Sequence, residues 1–368
     1  MRVGVIGGGQ LARMMVPPAV ALGVELRVLA EEAGSSAAIA TTAVGDYRDA
    51  ATVLAFARDV DVVTFDHEHV PQSVLAELVS AGIAVRPGPA ALAVAQDKGH
   101  MRRVLGHLGA PVPQSAMIGS ADELAQFLER SGGIAVVKTP RGGYDGKGVR
   151  VVRAAHEADD WLANGELLVE EFVAFRRELA QLVARRPSGE IAVWPLVQTL
   201  QRDGVCAEVI APAPDAGGLV ASAAALASTI AAGLDVTGVL AVELFETSDG
   251  ELLVNELAMR PHNTGHWSID GAITGQFEQH LRAVLDLPLG DPSPLAPWSV
   301  MVNVLGGPDG ATLPDRYATA MLDEPAVKFH SYGKASRPGR KVGHVTATGP
   351  DLDEALRRAR AAAAILQD

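Results

Sequence analysis

The chain has 368 residues, 48% of them apolar, a formal net charge of −13 and a single cysteine. Such a length accommodates two or three domains with real cores, and the acidic balance excludes a general nucleic-acid binder, because neutralising phosphates needs a basic field. Cys206 alone can form neither an intrachain disulfide nor a cysteine metal cluster. No apolar run reaches the roughly 18 residues of a bilayer span, and the Gly7-Gly8-Gly9 run comes too early for a signal peptide, so a cytoplasmic protein without membrane contact is expected.

In chain order, residues 1 to 90 alternate short β-branched runs with helical spacing. RVGVIG, ELRVLA, DVVTFD and IAVRPG read as strands, DAATVLAFARD and VPQSVLAELVSAG as helices, which implies a parallel sheet covered by helices. The first strand runs into GGGQLA, where Gly7, Gly9 and Ala12 satisfy the G-x-G-x-x-[G/A] pattern of phosphate-binding turns. Pro17-Pro18 is expected to interrupt the following helix, because proline lacks an N–H and crowds the preceding turn. One long helical stretch is expected from Pro89 to Gly109, closed by the Gly/Pro boundary GAPVPQS. After the helix ADELAQFLERS come antiparallel hairpins: IAVVK with VRVV around a glycine-rich loop, LLVEEFV, then ELAQLVARR with EIAVWPLV around PSG. A helix over 219–234, the strands GVLAVELFE and ELLVNELA and the helix GQFEQHLRAVLDL follow. Strands, a basic loop and a last helix, with Asp351 and Glu354 as a capping box, end the chain.

Four constellations carry chemistry. KTPRGGYDGKG, Lys138 to Gly148, is followed by strand residues and not by a helix, so it is no Walker loop. It reads either as a lid whose backbone N–H groups close over a triphosphate, with Lys138 and Lys147 adding charge, or as an ordinary hairpin loop. In the second, a two-residue turn at Asp249-Gly250 would put Glu243 opposite Glu256, with Cβ atoms roughly 5 Å apart. The pair is either two solvent-facing glutamates or an oxygen site for Mg²⁺. In the third, RPHNTGHW, Arg260, His262, Asn263 and His266 supply fixed donors for an anionic substrate. A zinc site on the two histidines lacks a cysteine or close carboxylate at ligand spacing. In the fourth, YGKASRPGRKVGH crowds Lys334, Arg337, Arg340 and Lys341 into a Gly/Pro loop, either a solvated basic loop or a phosphate grip.

Together these residues resemble the ATP-grasp superfamily, and within it the N5-carboxyaminoimidazole ribonucleotide synthetase family. GGGQLARM, GGYDGKG, VEEFV with a downstream glutamate, NELAMRPHNTGHW and RPGRKVGH stand in that family's order and spacing, over essentially the whole chain. The resemblance implies an ATP-grasp fold of mixed α/β and α+β class. It implies an N-terminal Rossmann-like pre-ATP-grasp domain (1–96), an ATP-grasp domain (97–295) with a mobile lid subdomain (about 112–174), and a small C-terminal domain (296–368).

The same resemblance implies residue roles. Lys138 would meet the α- and β-phosphates of ATP, and Gly143, Tyr144, Asp145, Gly146, Lys147 and Gly148 would form the lid loop. Glu170, Glu171, Phe172 and Val173 would be the hinge strand whose backbone meets adenine, Glu178 the ribose acceptor, and Asn255 a neighbour of the nucleotide. Glu243 and Glu256 would hold Mg²⁺, with Mn²⁺ an alternative. Arg260, His262 and Lys341 would carry catalysis, and Gln10, Leu11, Glu68, Tyr144, Asn263, Lys334 and Arg340 would line the ribonucleotide site with them. Lys98 stands where the family usually has arginine near ATP, Arg102 where it has lysine, and Gln201 where histidine is common.

The reaction so implied is ATP- and bicarbonate-dependent carboxylation of 5-aminoimidazole ribonucleotide through carboxyphosphate, in purine biosynthesis. A homodimer and a transient contact with the downstream mutase belong to the same expectation. Three rivals remain at this point, one of them a non-catalytic nucleotide sensor with the fold intact. A formate-dependent glycinamide ribonucleotide transformylase shares the RPH-x-TG stretch, although GHW and RPGRKVGH favour the carboxylating enzyme. An NAD-dependent oxidoreductase would use GGGQLA with Glu31 or Glu32 on the ribose.

Overall fold

A computed structural model describes residues 1–143, 148–202, 204–307 and 312–367. The N-terminal unit comprises β1 (Arg2–Ile6), α1 (Gln10–Ala21), β2 (Glu25–Ala30), β3 (Thr41–Val44), α2 (Ala50–Ala57), β4 (Val62–Phe65), α3 (Gln72–Ser80) and α4 (Pro89–Gln96). Its parallel sheet has the order β3-β2-β1-β4. The short strand β3 escapes sequence reading, and IAVRPG contributes a single bridge, Val63 to Val85. Pro87, with no N–H, ends that pairing.

The helix α1 runs through Pro17 and Pro18. Two ladder bonds are lost, but Pro17 is exposed, the helix ends within a turn, and Leu11, Ala12, Met15 and Ala19 anchor it in the core. Burial outweighs the local proline penalty. The expected helix from Pro89 to Gly109 is two helices, α4 and α5 (Lys98–His107), broken at Asp97. There the backbone is extended (φ −140°, ψ 110°), and the Asp97 carboxylate caps α5 by accepting from the His100 N–H at 2.8 Å.

A small antiparallel sheet follows: β5 (Ser115–Ile118), α6 (Ala121–Arg130), β6 (Ala135–Lys138), β7 (Val149–Val152), α7 (Asp159–Leu162) and β8 (Leu167–Glu171), in the order β5-β8-β6-β7. The apolar face of α6, Leu124, Phe127 and Leu128, packs on its inner side. The remainder builds one large sheet from β9 (Phe175–Arg185), β10 (Ile191–Val193), β11 (Val197–Arg202), β12 (Val205–Ala211), α8 (Leu219–Gly233), β13 (Gly238–Thr247), β14 (Leu252–Ala258), α9 (Ser268–Gly271), α10 (Gln276–Val284), β15 (Trp298–Leu305), α11 (Tyr317–Asp323), β16 (Lys328–Ser331), β17 (Lys341–Gly349) and α12 (Leu352–Gln367). Its order is β14-β13-β9-β11-β12-β15-β17-β16, with β10 beside β9.

The C-terminal strands therefore continue the central sheet: Glu208 to Ala211 of β12 pair with Ser299 to Val302 of β15. One face of β15 and β17, Val300, Val302, Val304, Val345 and Ala347, packs on the alanine stripe of α12. Alternation turns Ser299, Asn303, His344 and Thr346 to the other face, where they are buried as well. The cap of α12 is half of the expected box: Asp351 accepts from the Glu354 N–H, while the Glu354 carboxylate pairs with Arg357 and Arg358.

Candidate active site

The glycine turn after β1 already holds an anion. Asp66, just past β4, accepts from the N–H groups of Gly9 (3.0 Å) and Ala12 (2.8 Å). A Cβ on Gly9 would lie 2.0 Å from the Asp66 Oδ2 atom. The positive end of α1, where a dinucleotide pyrophosphate would sit, is thus taken by a half-buried carboxylate of the protein. Burial pushes this carboxyl above its ordinary range, against the hydrogen bond from Ala12. Leu11, expected to approach a substrate, has its side chain in the hydrophobic core. Gln10 instead accepts from Lys334 Nζ at 2.6 Å, across the junction with the C-terminal strands.

A cleft of about 960 Å³ opens between the small and the large sheet. It is lined by Glu68, Lys98, Lys138, Gly143, Glu170, Glu171, Phe172, Val173, Glu178, Glu243, Asn255, Glu256, Arg260, His262, Asn263 and Lys341, all expected at the site. Gln10, Leu11, Gly148, Lys334 and Arg340 are not among its lining residues. Arg340 is exposed and donates to the Ala335 carbonyl at 3.3 Å. Gly148, at φ +75°, packs its backbone on Thr139, whose Oγ1 a Cβ would meet at 2.4 Å. Tyr144, Asp145, Gly146 and Lys147 lie outside the described residues.

The cationic end of the cleft centres on Lys138, the last residue of β6. Its ammonium meets Glu170 Oε2 at 2.6 Å and Asn255 Oδ1 at 3.3 Å. The other Glu170 oxygen takes Arg102 Nε at 2.5 Å, and Arg102 also donates to the Asn255 carbonyl at 2.7 Å. Burial opposes ionisation of Glu170, but Lys138 and then Arg102 hold its carboxyl below the usual range. The Glu170 side chain is therefore turned inward as the counter-ion of two cations, a part that the hinge-strand expectation for its backbone did not contain. Lys98 binds the Gly142 carbonyl at 3.0 Å and stands 3.9 Å from Glu256. Phe172, Val149 and Val151 leave apolar faces open to the cleft, and Phe175 stacks on Phe245 with ring centroids 4.6 Å apart.

Glu243 of β13 does face Glu256 of β14, by a different route from the one expected. Thr247 donates to the Glu251 carbonyl and Gly250 to that of Thr247, so Ser248, Asp249 and Gly250 make a three-residue loop with Gly250 at φ +79°. That extra loop residue sets Leu244 against Val254 and would set Glu243 against Asn255. A bulge shifts the register at this point, leaving Asn255 as the additional residue and restoring Glu243 to Glu256. The bulge also aims Asn255 at Lys138 and Arg102.

Burial, then Glu256 and Glu178, push the Glu243 carboxyl up to about 8. Such an excess of negative charge fits a hard divalent cation. Among the described residues no three His, Cys, Asp or Glu side chains converge as a self-contained cage, so the remaining ligands would have to come from phosphate oxygens. Burial likewise raises the Glu178 carboxyl.

The substrate side follows β14. Glu68 accepts from the Met259 N–H at 3.1 Å and pairs with Arg260 Nε at 2.7 Å. His262 stands 3.3 Å from Glu243 through Nε2 and 3.0 Å from Thr264 Oγ1 through Nδ1. Burial, then Arg260 and Lys341, hold its imidazole well below the usual range, so it is neutral. Asn263 is locked in a reciprocal amide pair with Asn303. Sequence reading missed Asp66 and the Glu170 side chain as parts of this assembly, and saw Arg102 only as a cation where the family has lysine. Asp66 carried a signal as well, since it stands where a parallel strand meets its loop.

A small antiparallel sheet set over a larger one, with cations and paired carboxylates between them, defines an ATP-grasp enzyme, an ATP-dependent ligase. The ATP-grasp domain model matches residues 103–277, the ribonucleotide synthetase preATP-grasp domain model residues 1–96, and the phosphoribosylaminoimidazole carboxylase C-terminal domain model residues 299–358. The chain is 52% identical over 371 residues to the N5-carboxyaminoimidazole ribonucleotide synthase of Mycobacterium bovis, covering 98% of this chain and 86% of that protein. The crystal structure of the synthetase from Thermus thermophilus matches with a TM-score of 0.89 and 37% identity over 100% of this chain and 98% of that one. The Aspergillus clavatus enzyme in complex with ADP and 5-aminoimidazole ribonucleotide matches with a TM-score of 0.89 and 31% identity over 99% and 98%. The chain belongs to the N5-carboxyaminoimidazole ribonucleotide synthase family.

Proposed function

We propose that the protein carboxylates 5-aminoimidazole ribonucleotide to N5-carboxyaminoimidazole ribonucleotide, spending ATP and bicarbonate, in purine biosynthesis. The observation that carries this reading is one cleft holding the facing Glu243 and Glu256, the phosphate-seeking Lys138, and Arg260, His262 and Lys341. Bicarbonate oxygen attacks the γ-phosphorus and ADP leaves. The exocyclic amine of the ribonucleotide then takes the carboxyl group, phosphate departs, and the amine gives up a proton.

Each residue has a task in this scheme. Lys138, oriented by Glu170, meets the nucleotide phosphates, and Phe172 with Val149 and Val151 offers the base an apolar wall. Mg²⁺ held by Glu243 and Glu256, or Mn²⁺ in its place, would neutralise charge on the transferring phosphoryl group. The planar guanidinium of Arg260, steadied by Glu68, holds bicarbonate and then carboxyphosphate. His262, kept neutral and standing 3.3 Å from Glu243, offers an uncharged imidazole that orients the reacting groups by hydrogen bonding. Lys341, with Lys334 and Arg340 nearby in sequence, grips the ribonucleotide phosphate. The small sheet and its glycine-rich loop keep water from the carboxyphosphate.

Division of the chain at residues 96/97 and 295/296 is part of the reading, supported by family matches over 1–96, 103–277 and 299–358. A cytoplasmic location, a homodimeric state and a transient contact with the downstream mutase complete it; among the described residues no helix is long and apolar enough to cross a membrane. The test is ADP release with aminoimidazole ribonucleotide plus bicarbonate against glycinamide ribonucleotide plus formate. Release only with the first pair is expected, and release only with the second would overturn the proposal.

A further inference from the structure

The backbone of His262 is held by a buried side chain that belongs to no lining of the cleft. Gln276, at the first turn of α10, is fully buried. Its Oε1 accepts from the His262 N–H at 2.8 Å, and its Nε2 donates to the His262 carbonyl at 2.9 Å. The second proton of that Nε2 goes to His266 Nδ1 at 2.7 Å, which places the His266 proton on Nε2. All hydrogen-bonding positions but one lone pair of the amide are used, and flipping it would set donor against donor at His262. Gln276 is itself fixed, since its N–H donates to Ser268 Oγ at 2.9 Å and Ser268 Oγ donates to the Gly265 carbonyl at 2.6 Å. The next residue of the loop, Asn263, is clamped from the opposite side by Asn303 of β15.

We propose that Gln276 is a positioning residue: it acts through His262, setting where the imidazole stands relative to Glu243 and the reacting amine. The inference rests on the carboxylation reading above. The loop pairs with no regular strand, and beyond the single turn in which the Gly265 N–H donates to the His262 carbonyl at 2.9 Å, it is Gln276 that ties the His262 backbone to the rest of the fold; a displacement of about 1 Å at a reacting group costs about 100-fold in rate. A control lies three residues along the same helix. Gln279, also fully buried, clamps the N–H and carbonyl of Gly290 in the same two-bond manner, but on a loop outside the cleft.

The experiment compares Gln276→Glu and Gln276→Met with Gln279→Met in the full-length enzyme. It measures kcat, the apparent KM for each substrate, the ratio of ADP released to carboxylated product, and the melting temperature. Both Gln276 variants are expected to lose about 100-fold in kcat/KM for the ribonucleotide, to release ADP in excess of product, and to keep the KM for ATP within about twofold. Gln279→Met is expected to lower the melting temperature without excess ADP release. In a His262→Ala background the Gln276 substitutions should cost less than about twofold, since there is no imidazole left to position. Equal loss by the Gln276 and Gln279 variants, or the same penalty with and without His262, would overturn the assignment. If the unsubstituted enzyme fails to carboxylate the ribonucleotide, the functional reading fails instead, and the two failures are distinguishable.

Discussion

Replacing Glu170 by glutamine tests the charge arrangement on which the nucleotide end of the cleft depends. Its side chain is 4% exposed and lies 2.6 Å from Lys138 and 2.5 Å from Arg102, which are themselves 11% and 4% exposed. Breaking a buried ion pair from one side costs about 3–5 kcal/mol, because the partner is left as an uncompensated charge. The amide keeps one acceptor, so the lower end, about 3 kcal/mol, is expected. At about 1–2 °C per kcal/mol for a chain of 368 residues this lowers the melting temperature by about 3–6 °C, measured by scanning calorimetry or a dye-based melt. The sign with pH is also determined. A carboxyl held below its unfolded value contributes stability that is present above about pH 4.3 and lost as pH falls through the lower folded value. The gap between wild type and variant should therefore be full at pH 7 and shrink below about pH 4. Lys138 loses its fixed orientation, so the KM for ATP should rise about tenfold, as for a loss of about 1.4 kcal/mol. A stability loss under about 1 kcal/mol, or a gap unchanged across this pH range, would refute the counter-ion argument.

Three further substitutions probe the rest of the cleft. Glu243→Gln removes one of two facing carboxylates, so ADP release should fall at least about 100-fold while the metal-free protein melts no lower than wild type, because a carboxyl pushed up to about 8 is already mostly protonated at neutral pH and the amide replaces a neutral acid; a normal rate would exclude a metal role. Deleting Asn255 removes the bulge yet leaves the two glutamates opposite each other under the loop's own register, so circular dichroism should be native while the KM for ATP rises, and an unfolded product would show that the bulge is required for folding. Arg260→Lys cannot keep both the Nε contact to Glu68 and a planar fork for the oxyanion. Turnover should fall about 100-fold with ATP affinity nearly unchanged, and unaltered turnover would sink the assignment of Arg260 to bicarbonate.

Much of this protein was legible in the chain, because helix and strand periodicity, capping and glycine-rich turns depend on residues within a few positions of one another. The βα alternation, the hairpins around the glycine-rich loop and the order of the motifs that resemble the family all belong to that local information. Where local rules competed with burial they failed. Proline did not stop α1, whose other face is core, and Asp97 broke the long helix because its carboxylate had an N–H to cap. The pairing of Glu243 with Glu256 was anticipated through a two-residue turn, whereas the molecule reaches it by a longer loop and a compensating bulge, two departures that cancel.

What only the tertiary structure decided are contacts between side chains far apart in sequence. Asp66 fills the helix end that the opening glycines offer, Glu170 pairs with both Arg102 and Lys138, and Gln276 carries the backbone of His262. GGGQLA by itself determines a turn that welcomes an anion; that the anion is a carboxylate 54 residues past Ala12 and not a dinucleotide follows from the register in which β4 packs beside β1. A turn is dictated by φ and ψ preferences within the segment. Which charge faces it depends on the packing of the whole sheet.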